Sequence, residues 1–379
     1  MNLNTFLETK GVEYAPFEPE RFKKAYRDFC RHFADTTPKI QIIGTNGKGS
    51  TGRFLAQSLE ASGFKVLHFS SPHLLDFAER FYTQGQNVSY NKLEQAHTYL
   101  QSLPLEPNLS YFEYATLLAV VLAQGCDYMI AEAGLGGEFD STTSLNNRCA
   151  LVFTPISVDH TDRLGANLLE IATTKLKAGL NLEPHTPIIF AKQELEVQEL
   201  AKKLLPKQNL IFIEKSSQEA LSEGQKWGYP PFLVQNLQTA LSTLHALNLE
   251  PKTLKRLNLR GRFETFAPNV LLDVAHNVGG AKALASALKG QQLDLIYNSY
   301  ARKDARGVLE ELKPCVRCVW VLPMQDPQIV PQEILQSILE QLKLPFAPFK
   351  GQLEPTKSYL VAGSFSVVRS FLLGGAFGR

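Results

Sequence analysis

Short apolar, β-rich runs recur along the first half of this sequence, at residues 40–43, 65–69, 128–131, 151–153 and 188–190, and longer stretches of helical period separate them. Such alternation restricts the chain to an α/β fold, a parallel sheet with helices packed on it. Helices are predicted at 51–61, 92–100, 112–124, 168–180, 195–205 and 232–247. Residues 248–262 are polar and basic and include Pro251, after which the alternation restarts. The second series has strands near 270–274, 293–297, 317–322 and 358–361, with helices near 280–288, 306–312, 331–342 and 364–372. We read two α/β domains, 1–250 and 262–379, joined by a linker at 251–261. With 379 residues in all, each part is long enough to bury its own core.

Lys plus Arg number 39 against 37 Asp plus Glu, a net charge of +2, which gives no reason to expect nucleic acid as a partner. The longest apolar candidate, 115–123, is interrupted by Thr116 and falls short of the roughly 20 residues a membrane span needs, so no membrane partner is expected. The first ten residues carry Glu8 and lack the basic stretch and apolar core of a signal peptide, leaving the cytoplasm as the expected compartment. The five cysteines then read as reduced thiols. Cys315 and Cys318 form a CxxC with no second pair or nearby His to complete a zinc site, and read as structural.

The strongest local signal follows residues 40–43, where an apolar strand runs into Gly44, Thr45, Asn46, Gly47, Lys48, Gly49, Ser50 and Thr51 and a helix begins. Strand, glycine loop, lysine, hydroxyl and helix is the order of a phosphate loop. Glycines let backbone N–H groups turn around an anion and the helix N-terminus adds partial positive charge. Lys48 can reach the β and γ phosphates of ATP and Ser50 can ligate Mg²⁺. The spacing departs from GxxxxGK[ST]: two residues separate Gly44 from Gly47, and Gly49 stands between Lys48 and Ser50. A tight strand-to-helix turn is the alternative reading.

Ligands of an open parallel sheet sit beyond the carboxyl ends of its strands, which directs attention to Glu132 and to Asp159 with His160. Glu132 precedes Gly134, Leu135, Gly136 and Gly137, whose glycines would let backbone approach a phosphate or metal. A carboxylate suits Mg²⁺, whereas an imidazole there is unusual. Taken alone, His160 reads as a hydrogen-bonded helix cap or core histidine, and Glu132 reads equally as a turn carboxylate paired with a basic group.

Taken together, six blocks in one order resemble the folylpolyglutamate synthases and dihydrofolate synthases, a branch of the Mur ligase superfamily. Residues 44–51 (GTNGKGST) resemble the family's phosphate loop. Ser71, Pro72, His73 and Leu74 with Glu79 and Arg80 resemble its SPHL and ER segment, and Phe112, Glu113 and Thr116 its FE and T helix. Residues 132–142 (EAGLGGEFDST) resemble ExGLGGxxDxT and 159–165 (DHTDRLG) resemble DHTxxLG. Gly261, Arg262, Phe263 and Glu264 resemble GRFE; Asp273, Ala275, His276 and Asn277 resemble the DGAHN block; Gly363 and Ser364 resemble the closing GS.

The resemblance implies a P-loop ATPase-like N-terminal domain and a smaller Rossmann-like C-terminal domain that closes over ATP and binds glutamate. It implies ATP-dependent amide formation, in which a dihydropteroate or reduced folyl carboxylate attacks the γ-phosphate and L-glutamate then attacks the acyl phosphate. Both activities of the pair are expected, in a monomer acting on small molecules. Lys48, His160 and Lys175 are implied as catalytic. Ser50, Glu132, His160 and Lys175 are implied around Mg²⁺, with K⁺ a further ion. Lys175 would carry a carbamate, although alignment on the KAG run chooses Lys177 and the family's preceding Glu is here Thr174.

Residues 44–51, Asn236, Arg262, Asp273 and His276 are implied to hold the nucleotide. Ser71, Pro72, His73, Arg80, Phe112 and Glu113 are implied to meet the folate substrate. Gln235 and Thr239 replace the His and second Asn that flank Asn236 in the family, Val274 and Glu138 replace its Gly and Arg, and Lys303 with Asp304 resembles its KD pair. A peptidoglycan ligase of the same superfamily would need a uridine diphosphate region ahead of the loop. A nucleotide-gated binding module would explain the loop but not Glu132, His160 and Lys175 together.

Overall fold

Strand β1 (Lys39–Ile43) is buried along its whole length, as a parallel strand covered by helices on both faces must be. The computed structural model describes residues 1–10, 18–105 and 108–374. The chain forms two compact units, Met1–Ser157 with Leu164–Asn258, and Val158–Arg163 with Leu259–Arg379. Residues 251–258 of the expected linker thus belong to the first unit, and 158–163 join the second.

In chain order the first series runs α1 (Leu3–Thr9), α2 (Arg21–Phe29), β1, α3 (Lys48–Ala61), β2 (Val66–Phe69), β3 (Phe81–Thr83), β4 (Gln86–Asn87), α4 (Tyr90–Gln101) and α5 (Tyr111–Leu122). It continues with β5 (Tyr128–Glu132), β6 (Arg148–Phe153), α6 (Thr161–Leu164), α7 (Leu168–Leu176), β7 (Pro187–Phe190), α8 (Leu195–Leu204), β8 (Asn209–Phe212), α9 (Gln218–Trp227) and α10 (Pro231–Ala246). The sheet order is β4-β3-β2-β5-β1-β6-β7-β8. From β2 to β8 every pairing is parallel, and β3 and β4 close one edge antiparallel. Because β1 lies between β5 and β6, the loop that follows it is flanked by the carboxyl ends of both.

The period-2 pattern of β1 sends Ile40 and Ile42 into a cluster with Phe54, Leu55 and Leu59 of α3 and Leu237 and Leu241 of α10. Helices α1, α2, α4 and α5 cover Leu67, Phe69, Met129 and Ala131, while α7 and α8 cover Leu151, Phe153, Ile188 and Phe190. Gln41 interrupts the apolar strand, and its amide is fully used: it donates to the hydroxyls of Thr142 and Thr143 at 2.9 and 2.7 Å and accepts from Arg148 at 3.0 Å. Leu249, Leu254 and Leu257 pack against the α3 and α10 side.

The second unit runs β9 (Glu264–Ala267), β10 (Val270–Leu272), α11 (Val278–Ala287), β11 (Leu293–Tyr297), α12 (Ala305–Leu312), β12 (Val316–Val321), α13 (Gln332–Gln341), β13 (Phe346–Pro348), β14 (Tyr359–Ala362) and α14 (Phe365–Leu373). Its order is β13-β12-β11-β14-β10-β9, parallel except for the edge pair β10 and β9. It has its own core, in which Leu284, Leu295, Tyr297, Leu309, Val319 and Leu339 are buried. Both units are therefore the α/β class expected.

Helix α3 starts at Lys48, three residues before its predicted start, and the predicted helix at 168–180 ends at Leu176, with a 3₁₀ turn at Lys177–Gly179. The short strands β3, β4, β8, β9 and β13 and helices α1, α2, α6 and α9 are additions to the sequence reading. No helix among the described residues is long and apolar enough to cross a membrane.

Candidate active site

The turn from β1 into α3 is where the first unit concentrates polar side chains. Gly47 is the N-cap of α3 at φ +89°, a conformation open to glycine, and no side chain caps the helix there. The first amides of α3 therefore have no side-chain cap, as an anion site needs. A Cβ on Gly47 would also stand 2.4 Å from Oδ1 of Asn236, so Asn236 of α10, buried, lies directly against the loop. Ser50 and Thr51 are buried in the first turn, and the Thr51 hydroxyl has no hydrogen-bond partner among the described residues.

Lys48 and two side chains from other elements meet at this loop. Lys48 reaches back toward the carbonyls of Gly44 and Thr45, at 3.4 Å each, and its ammonium lies 3.9 Å from Oε1 of Glu132 at the end of β5. Glu132 is buried and its Oε2 accepts the amide of Ser71 at 3.3 Å. Lys175 of α7 is buried and donates to the carbonyl of Gly44 at 3.0 Å. Lys177, the other candidate, points to Glu138 at 2.9 Å and is partly exposed. Lys175 is thus the lysine of this pair that touches the loop. At Gly137 the close neighbour is protein, since a Cβ would stand 2.4 Å from the carbonyl oxygen of Lys175. That glycine lets the loop after β5 lie on α7.

Residues absent from the sequence reading complete the loop. Ser157 donates its amide to the Thr45 hydroxyl and accepts that hydroxyl on its carbonyl, both at 3.0 Å, and its own hydroxyl accepts from Asn46 at 3.2 Å. Gln193 holds the same stretch through the Ile156 amide and the Thr154 carbonyl at 3.0 and 3.1 Å. The hydroxyls at 154 and 157, just past an apolar strand end, were the available signal.

In the SPHL and ER segment Leu74 and Arg80 are buried, Ser71 and His73 are half-buried and Pro72 is exposed. Arg80 is fully buried, donates from Nε to Nδ1 of His73 at 2.9 Å and lies 5.2 Å from the Tyr111 ring. Pro72 follows a cis peptide bond. Asp76 and Glu79 form a capping box on the 3₁₀ turn Phe77–Arg80. Phe112 stacks on Phe69 at 5.6 Å. Glu113 closes a capping box with Ser110 on α5 and pairs with Arg21 at 2.8 Å, so its carboxylate does local structural work.

In the second unit Asp159 is the centre of a buried cluster. Its carboxylate lies 2.5 Å from the Lys303 ammonium, 3.3 Å from Nε2 of His276 and 3.1 Å from the donating amide of Asn277. Burial pushes this carboxyl up, and the neighbouring His276, Lys303 and His160 outweigh it, holding the group well below the usual carboxylate range. Burial lowers the Lys303 ammonium, and Asp159 partly offsets that. His160 takes φ +52° and its amide donates to its neighbour Asp159 at 2.8 Å.

Asn277 caps α11 through Gly280, and Asp304 caps α12 through Gly307. The oxygens of Asp273 accept the amides of Phe263 and Ala275, both at 2.9 Å, and its buried carboxyl is raised. Arg262 lies 4.6 Å from the Phe365 ring.

Ser50 and Glu132 offer hard oxygen donors, a set that fits Mg²⁺ shared with phosphate oxygens and water. Among the described residues no three His, Cys, Asp or Glu side chains gather as a self-sufficient metal centre. A metal here is one completed by a ligand.

No protein-family model matches the chain. The dihydrofolate synthase/folylpolyglutamate synthase of Escherichia coli (strain K12) is 30% identical over 356 residues, 86% of this chain and 84% of that protein. The chain belongs to the dihydrofolate synthase/folylpolyglutamate synthase family. The crystal structure of the Helicobacter pylori folylpolyglutamate synthetase matches it with a TM-score of 0.80 and 42% identity, over 98% of this chain and 97% of that one. A bifunctional family member from Yersinia pestis, complexed with AMPPNP and Mn ion, has the same fold at a TM-score of 0.83 and 24% identity, over 99% and 98% of the two chains. The two-domain Mur ligase-type architecture is that of the family.

Proposed function

We propose that the chain is a bifunctional ligase that uses ATP and a divalent metal to join L-glutamate to dihydropteroate and to reduced folyl glutamates. The observation that carries this reading is the convergence of Lys48, Glu132 and Lys175 on one uncapped phosphate loop in a member of this family. The loop amides and Lys48 would bind the β and γ phosphates. Ser50 and Glu132 would hold Mg²⁺, with His160 and a carbamylated Lys175 as further ligands; the metal would spread the charge of the transferring phosphoryl group. Asn236, against Gly47, would fix the loop's outer wall.

The acceptor carboxylate takes the γ-phosphoryl group and releases ADP; the glutamate amine then displaces phosphate, forming the amide and losing a proton. Ser71, Pro72, His73, Arg80, Phe112 and Glu113 would shape the folate side. We assign ATP and folate to residues 1–250, and glutamate to 262–379, which also supply Arg262, Asp273 and His276 to the nucleotide. The working form is a monomer in the cytoplasm.

The test is L-glutamate-dependent phosphate release from MgATP, with 7,8-dihydropteroate and tetrahydrofolate as separate acceptors and the amide product identified by mass. Turnover with both is expected. Turnover with one alone reduces the reading to a monofunctional ligase, and a protein that binds ATP yet makes neither product is another amide ligase. Light scattering in the same buffer checks the monomer.

A further inference from the structure

The chain passes between its two units at 157/158, 163/164 and 258/259. On the first-unit side, the last of these is fastened to the helix that begins with the phosphate loop. Residues 252–258 run back along α3: Lys252 donates to the Ser62 hydroxyl at 3.2 Å, Gln57 donates to the Arg256 carbonyl at 2.8 Å and accepts the Asn258 amide at 3.1 Å, and Arg53 donates to the Asn258 carbonyl. Ser62 is the C-cap of α3, and positions 57 and 53 share one helix face, so the segment runs from the end of the helix back toward the loop. It leaves the unit five residues from Lys48, about 7.5 Å along the axis at 1.5 Å per residue.

Arg53 is itself held in place. It is buried, its guanidinium lies 3.8 Å from the Tyr82 ring, and Nε donates to Nδ1 of His68 at 3.3 Å. His68 fits because position 52 is glycine; a Cβ there would stand 2.4 Å from its Nε2. Burial keeps this imidazole neutral, able to accept. The partly buried leucines at 249, 254 and 257 already pack the segment against the core. Two directed polar clamps on consecutive turns add a fixed direction, at the desolvation cost of a guanidinium.

We propose that Arg53 and Gln57 are positioning residues for the ligase reaction, fixing the exit of residues 256–258 on the phosphate-loop helix so that groups carried by the second unit reach the acyl phosphate before water does. The inference rests on the ligase reading above. A loosened exit leaves nucleotide binding intact and lets water attack the acyl phosphate, returning the free carboxylate and inorganic phosphate.

The experiment uses the full chain with Gln57→Ala and Arg53→Lys, the second keeping a cation and one donor. Glutamate incorporation and phosphate release are followed in one reaction, with MgADP affinity by calorimetry and the melting temperature alongside. Gln57→Ala is expected to lower glutamate incorporated per phosphate released by about threefold or more, with the MgADP Kd within about twofold, and Arg53→Lys to fall between it and the parent. Variants with unchanged coupling overturn the proposal. So does a loss of coupling that only parallels lost MgADP affinity and melting temperature, since that is a folding role. A parent protein that incorporates no glutamate overturns the ligase reading itself, and does so without any substitution.

Discussion

The Asp159 carboxylate, 7% exposed, faces Lys303 and His276. Asp159→Asn leaves the Lys303 ammonium buried without its anion and should cost about 3–5 kcal/mol in denaturant unfolding. Because the folded group is held below its unfolded value, the unfolded state binds the extra proton between the two. The stability from this group is complete above the ordinary carboxyl value of about 4 and falls away below it. The gap between parent and Asp159→Asn should therefore narrow on going from about pH 6 to pH 3, and a gap that widens on acidification would contradict the cluster's charge state. At Gly47 the argument is steric. Gly47→Ala forces a Cβ onto Asn236 and keeps a left-handed φ that costs roughly 1–2 kcal/mol. ATP affinity should fall about tenfold or more, and Asn236→Ala in the same chain should restore part of it, which a double-mutant cycle measures.

Lys175 of α7 and Lys177 of the 3₁₀ turn that follows it lie two residues apart in different surroundings. Lys175 is buried on the Gly44 carbonyl, whereas Lys177 forms a partly exposed pair with Glu138, a kind of contact contributing about 0–1 kcal/mol. Lys175→Ala should abolish glutamate incorporation while the protein stays folded by circular dichroism. Lys177→Ala should keep turnover within about twofold, as expected of a partly exposed pair. The reverse result would move the carbamate to Lys177. If Lys175 is carbamylated, turnover also falls in buffer stripped of carbon dioxide and returns with bicarbonate.

At the scale of the molecule, each unit has its own core, so ligands should stabilise unfolding transitions unequally. MgADP at about 100 times its Kd should add about 2.7 kcal/mol to the transition of the first unit, with a chelator removing the metal's share. An unchanged transition under saturating nucleotide would place the phosphate site elsewhere. The α/β class, the paired series of elements and the phosphate loop were legible in sequence because they are written in local terms: apolar runs of four to six residues, helical period and glycines beside a lysine. Helix α2 was missed although Phe22, Ala25, Tyr26 and Phe29 repeat at helical spacing and are buried together. Edge strands such as β4, only Gln86–Asn87, carry no such pattern, because pairing with a neighbour rather than their own residues defines them. The contact of Lys175 with Gly44, the fastening of Ser157 to Thr45 and Asn46, and the gathering of His276 and Lys303 on Asp159 join positions more than 100 residues apart. Spacing along the chain cannot encode those meetings; they follow from which strand ends the parallel sheets set side by side, and from which buried charges then find a partner.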